Sequence, residues 1–137
     1  MMRWILVPLL RFAQFDGRSR RAEFWMFALF QIMLFGALLL AFSVLRAFAG
    51  DSETGRFGSD LCAAAMIAAA LVLSVPFVAL MVRRLHDLDR SGWWCLLNLV
   101  PFGTLALLVA MTFEGDHGPN RYGADPKGGD AEHLVRA

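Results

Sequence analysis

The chain has 137 residues, room for one domain, and 58% of them are hydrophobic, with a mean hydropathy of +0.53. A small soluble globule needs more polar surface than that, so the expected solvent is lipid. A formal charge of +1 and a pI near 7.9 lack the basic excess of a nucleic-acid binder, and no nucleic-acid partner is expected.

The chain opens with MMRWILVPLLRFAQF, in which Arg3, Arg11, Gln14 and Arg18 share one narrow arc of a helical wheel. Trp4, Ile5, Leu6, Leu9, Leu10, Phe12 and Phe15 occupy the rest, which predicts an interfacial amphipathic segment over residues 1–18, bent or restarted at Pro8. Three runs then follow without an acidic, basic or histidine residue: Phe24 to Leu45, Leu61 to Val82 and Trp93 to Phe113. Each matches the roughly 20 helical residues that cross a hydrocarbon core about 30 Å thick. A soluble bundle would carry water-facing polar stripes, and these runs hold only scattered Gln31, Ser43, Ser74, Asn98, Thr104 and Thr112. LRAFAG resembles a signal-peptidase site, but the apolar run before it is far longer than a signal core, so an uncleaved anchor is expected.

Those elements give an all-α integral membrane fold: a membrane domain over 1–113 with three transmembrane helices behind an interfacial helix, and an irregular polar tail over 114–137. With three spans, the N-terminus and the Arg83 to Gly92 turn share one side, opposite the Arg46 to Asp60 loop and the tail. Eight Lys and Arg then fall on the first side and five on the second, which puts the N-terminus in the cytoplasm and the C-terminus in the periplasm. The third span has a weak point at Val100–Gly103, VPFG. There it either kinks or turns back on itself; the kinked full span is preferred, and a re-entrant path would bring FDGRSRRAEFWMF, RRLHDLDRSGWW and the GPNRYGADP stretch of the tail to one face.

The charge between spans two and three has an ordinary explanation. Arg83, Arg84 and His86 suit the negative end of a helix dipole, Asp87 can pair with an arginine one turn back, and Asp89 or Ser91 can cap the next helix. Trp93 and Trp94 suit headgroup level. FDGRSRRAEFW fits less well: Ser19 as N-cap puts Arg20 and Arg21 in a first helical turn, where positive charge opposes the dipole. Either these arginines are topogenic, or they bind lipid phosphates or the acids Asp87 and Asp89 across the face. Glu23 should pair with Arg83 or Arg84, and Asp87 with Arg18, Arg20 or Arg21.

His117 and His133, placed on the face opposite His86, cannot join it around a metal, and no metal or other cofactor is expected. Cys62 and Cys95 begin successive antiparallel spans, too far apart for a disulfide. The Ala64/Ala68 and Ala65/Ala69 pairs give the small-xxx-small spacing of close helix contacts, within the chain or with a second copy.

FDGRSRRAEFWMF, RRLHDLDRSGWW and GPNRYGADP, in that order around three apolar runs, resemble the bacterial inner-membrane family known as domain of unknown function 805. The pattern covers Phe15 to Pro126 and includes Asn120, Tyr122 and Gly123. The resemblance implies a small multi-span bacterial membrane protein, supplies no reaction, and favours an ordered stretch over Gly118 to Pro126 in a tail that composition alone reads as irregular. The functional expectation is an interaction, scaffold or regulatory protein whose cytoplasmic face binds anionic headgroups or a protein partner. The candidate face is Arg18, Arg20, Arg21, Glu23, Arg83, Arg84, His86 and Asp87. The alternatives are an oligomeric channel or transporter subunit, and a membrane enzyme using His86 with Asp87. No catalytic residue is assigned.

Overall fold

A computed structural model describes residues 2–49 and 52–128. Its elements are α1 (Met2–Leu10), α2 (Arg21–Ala49), α3 (Glu53–Asp87), a 3-10 helix (Gly92–Leu99) and α4 (Gly103–Thr112). Among the described residues there is no strand, only an isolated antiparallel bridge between Asn120 and Gly123. The chain divides into two compact parts, Ala28–Val75 and the combination of Met1–Phe27 with Pro76–Ala137.

In the first part, α2 and α3 form an antiparallel pair. The Gln31 side chain donates to the Leu73 carbonyl at 3.3 Å, and at the far end Leu45 approaches Gly58. Both helices, of 29 and 35 residues, are long and apolar enough to cross a membrane. Their sequence explains this: α2 has no charge between Glu23 and Arg46, and α3 none between Asp60 and Arg83. Pro76 is accommodated inside α3, as transmembrane helices tolerate.

The second part corrects the expected third span. The segment 93–113 is not one kinked helix but the eight-residue 3-10 helix and the ten-residue α4, folded against each other. Phe102 takes a left-handed φ of 64°, and Pro101 before it cannot donate a backbone hydrogen bond. Gly103 permits the reversal, since a Cβ there would sit 1.8 Å from the Leu97 carbonyl oxygen. Both ends of the hairpin lie at the C-terminal end of α3: a Cβ on Gly92 would meet Val82 and His86, and the Phe113 carbonyl accepts from Arg84. At about 15 Å, α4 has half the length needed to cross. Phe24, Phe27, Leu80, Leu85, Leu107 and Met111 belong to the buried apolar core of this second part, with the Phe24 and Phe77 rings 5.8 Å apart.

Two N-terminal expectations also change. The helix of the 1–18 segment covers only Met2–Leu10 and runs through a buried Pro8 without restarting there. Ser19 does not cap α2, which starts at Arg21; its amide donates to the Arg83 carbonyl at 3.2 Å and its hydroxyl approaches the Leu80 carbonyl at 3.5 Å. Residues 17–20 are thereby laid against the end of α3, with Gly17 supplying the positive φ of 87° that admits the strap.

Candidate functional site

The site grows from the end of α3. The Arg90 amide bonds the Leu85 carbonyl and the Asp89 amide the His86 carbonyl, while Asp89 adopts φ 51°. That is a Schellman termination with aspartate in the left-handed position usually given to glycine. Ser91, one of the two expected caps, accepts from the Trp93 amide and starts the 3-10 helix.

Asp87 is the centre. Its carboxylate takes the Arg18 Nε at 2.9 Å on one oxygen and Arg84 on the other, and all three side chains are almost wholly buried. Its own carbonyl accepts the Asp116 amide at 2.8 Å. The tail passes so close that a Cβ on Gly115 would sit 1.8 Å from the Asp87 carboxylate, so only glycine fits. Beneath this centre Glu23 and Arg83 form the expected pair, buried, with Oε1 and Nη1 3.6 Å apart. The separation makes it an electrostatic contact rather than a hydrogen bond.

The arginines that opposed the α2 dipole satisfy α4 and the tail instead. Arg21 donates to the Thr112 carbonyl at 3.2 Å and Arg84 to that of Phe113, so two cations meet the negative end of α4. Arg18 also donates to the Gly118 carbonyl at 2.6 Å and to that of Asp116, and Arg20 to that of Pro126 at 2.8 Å. Arg21 and Lys127 both pair with Glu114 at the exposed rim.

The tail motif closes over the end of α3. The Asn120 side chain donates to the His86 carbonyl at 2.9 Å and accepts from the Tyr122 amide. The Tyr122 ring stacks on His86, centroids 3.9 Å apart and nearly parallel, while His86 Nδ1 lies 3.2 Å from the Gly17 carbonyl. Gly123, at φ 135°, forms the bridge with Asn120. Asp125 accepts from the Lys127 and Gly118 amides, which, Lys127 foremost, hold its carboxyl below the usual range. Glu114 is likewise depressed, first by the hydrogen bond from Lys127.

The three motifs therefore meet at one place, and the placing of the tail on the opposite face is corrected. The physical reason is the hairpin, which returns the chain to the C-terminal end of α3. His117 is carried to the same end as His86, while His133 lies outside the described residues. Among the described residues no three His, Cys, Asp or Glu side chains cluster as a metal site would require. The space left among Arg20, Arg21, Arg84, Asp87, Gly115 and Asp125 is about 10 Å³, the size of one water. Arg18, Arg83 and Arg84 are buried and do not present an open basic face. Arg90 and Arg121 were not among the candidate residues; Arg121 pairs with Asp89 at 3.0 Å, and Arg90 lies over Trp94.

A helical chain with two helices able to cross a membrane, closed at one end by a buried Arg–Asp centre, defines a helical membrane-type protein whose Arg18, Arg84 and Asp87 are engaged in structure. It belongs to the family described as protein of unknown function (DUF805), whose model matches residues 12–124. The chain is 42% identical to the Escherichia coli K12 protein named inner membrane protein YhaI, over 93% of this chain and 98% of that one. It is 41% identical to inner membrane protein YhaH of the same strain, over 92% and 98%. It is 29% identical to uncharacterized protein YiiR, over 81% and 84%. No solved structure matches the chain.

Proposed function

We infer that the chain is an integral protein of the bacterial inner membrane that acts by binding a protein partner, as a scaffold or assembly element, and not by chemistry. In this reading α2 and α3 span the bilayer, the 3-10 helix and α4 form a re-entrant hairpin, and α1 lies in the interface. The inner membrane proteins YhaI and YhaH, to which the chain is similar along nearly its whole length, support the location. Charge supports the orientation. With the tail returned to the side of the N-terminus, Arg46 and Arg56 are the two basic residues left in the loop between spans, and the other ten among the described residues are cytoplasmic.

The observation that carries the functional reading is the state of Asp87. Its carboxylate is spent on Arg18 and Arg84 in a space with room for about one water, and its neighbour His86 is stacked under Tyr122. A general base needs reach to a substrate proton, and the pair recruited for the enzymatic alternative is engaged in holding the tail. Gln31, one of the polar groups available to a conducting path, is spent on the Leu73 carbonyl. Arg18, Arg83 and Arg84 are likewise buried within the fold, so headgroup binding by these three has no open surface to work from.

The partner surface is the exposed small-residue face of α3 at Ala64, Ala65 and Ala68, which lets another helix approach closely. A second copy is the simplest occupant. Mass measurement of the full chain released from native membranes in polymer nanodiscs tests this. The expected particle contains more than one 15.2 kDa polypeptide, and Ala64→Leu with Ala68→Leu reduces it to one. A particle holding a single chain before mutation contradicts the scaffold reading.

A further inference from the structure

Beside the closed polar centre lies an open apolar groove, lined in part by Leu85, Leu88, Arg90 and Trp94 of the RRLHDLDRSGWW motif, that the Asp87 centre does not use. Its volume is about 450 Å³ and its walls are Leu85 of α3, Leu88 in the turn just after it, Leu97 of the 3-10 helix, and Leu107, Ala110 and Phe113 on the α4 side. It follows α4 from Phe113, the residue just past its end, back to Ala106, about 10 Å of helical rise. The single charged group on its lining is Arg90, an exposed residue whose backbone amide donates the hydrogen bond to the Leu85 carbonyl that terminates α3.

Arg90 differs from the neighbouring cations. Arg18 and Arg84 are held by Asp87, Arg121 by Asp89 and Lys127 by Glu114. Arg90 is exposed and has no carboxylate within ion-pairing distance among the described residues; its guanidinium lies 5.8 Å from the centre of the Trp94 ring. Exposed Trp93 and Trp94 mark the same rim, as tryptophans do at headgroup level. A groove that is apolar along its length and cationic at its headgroup end is complementary to a molecule with an acyl chain and an anionic head.

We propose that this groove binds one anionic phospholipid of the surrounding bilayer, an acyl chain lying between α3 and α4 and the phosphate held by Arg90. The site rests on the hairpin being re-entrant as inferred above, but not on the scaffold role. The Arg–phosphate contact supplies the headgroup preference, because a guanidinium presents paired donors to phosphate oxygens. The groove supplies the residence, since the chain buries apolar surface on both sides.

Native mass spectrometry of the full-length protein in mild detergent, titrated with phosphatidylglycerol or phosphatidylcholine of equal acyl chains, tests it. The expected result is one retained phosphatidylglycerol, bound about fivefold more tightly than phosphatidylcholine, the effect of one arginine near a charged surface. Arg90→Gln brings the two lipids level, and Ala110→Trp, which fills the groove, removes both. Equal retention of the two lipids by the unmodified protein, or a preference that survives Arg90→Gln, overturns the site. A second readout needs no loss of charge: phosphatidylglycerol with brominated chains quenches tryptophan fluorescence more than the choline lipid does, and Trp94→Phe removes the excess. Equal quenching by both lipids overturns the proposal, as does a photocrosslink from position 97 to another polypeptide, which would make the groove a protein interface. Lost lipid preference with the nanodisc assembly intact refutes the lipid site alone; a single-chain particle that keeps the preference refutes the scaffold alone.

Discussion

Replacing Asp87 by alanine should be the most damaging change to a single side chain in the molecule. The carboxylate lies between Arg18 and Arg84, whose side chains are 1% and 0% exposed, so its removal leaves two guanidinium charges buried and facing each other. Breaking a buried pair from one side costs about 3–5 kcal/mol. Both arginines keep backbone carbonyl acceptors at Gly118, Asp116 and Phe113, which argues for that range once rather than twice. For a chain of this size the loss corresponds to a fall in melting temperature of about 10–20 °C. Arg21→Ala is the control, because the Arg21–Glu114 pair is 44% and 49% exposed and such pairs contribute about 0–1 kcal/mol. Thermal unfolding in one detergent, followed by circular dichroism, compares the two. An Asp87→Ala melting temperature no lower than that of Arg21→Ala would refute Asp87 as the centre of the fold at this end.

Arg83→Met should destabilise by stranding Glu23, and Glu23→Met with Arg83→Met should recover most of the loss, since apolar residues replace buried ion pairs at little net cost; a double variant no better than the single one, in the same melting assay, would dissociate the two residues. Gly103→Ala should cost at least the 1–3 kcal/mol or so of an overpacked site, because its Cβ meets the Leu97 carbonyl, whereas Gly36→Ala, with open space around its Cβ, should not lower the melting temperature. Acid should loosen the tail: a carboxyl depressed by folding stabilises fully above its ordinary value and loses that contribution as pH falls through the folded one, so the Gly118 and Lys127 amide resonances that report on Asp125 should shift together with a midpoint below 3.8. A midpoint at or above 3.8 would show that the two amides do not hold the carboxylate.

Much of the site was legible as charge. That Glu23 meets Arg83 and Asp87 meets Arg18 followed from two charged clusters at the same ends of adjacent spans, because charges at the edge of an apolar layer have few other partners. The path of residues 93–113 was not legible, because hydropathy records which residues prefer lipid and not whether the backbone crosses it. Twenty-one uncharged residues satisfy the length rule whether straight or folded back. What decides is tertiary: Gly103 against Leu97, and Arg84 reaching the Phe113 carbonyl. Pro101 and Gly103 signalled the break without its direction. The same misplacement hid the role of Arg20 and Arg21, whose acceptors at Pro126 and Thr112 belong to a segment assigned to the other face. Asn120 and Tyr122 entered only through family resemblance, since a tail rich in Gly and Pro has no apolar period from which docking could be read.

The side of the membrane on which residue 114 lies tests the re-entrant hairpin most directly. In a cysteine-free background made by Cys62→Ala and Cys95→Ala, single cysteines at Glu53, Glu114 and Lys127 can be treated in intact spheroplasts with a membrane-impermeant maleimide. The fold described here predicts labelling at position 53 alone, with 114 and 127 labelled only after the membrane is opened. Labelling at 114 and 127 in intact spheroplasts, alongside 53, would show that the third apolar segment crosses the bilayer, and would contradict the hairpin.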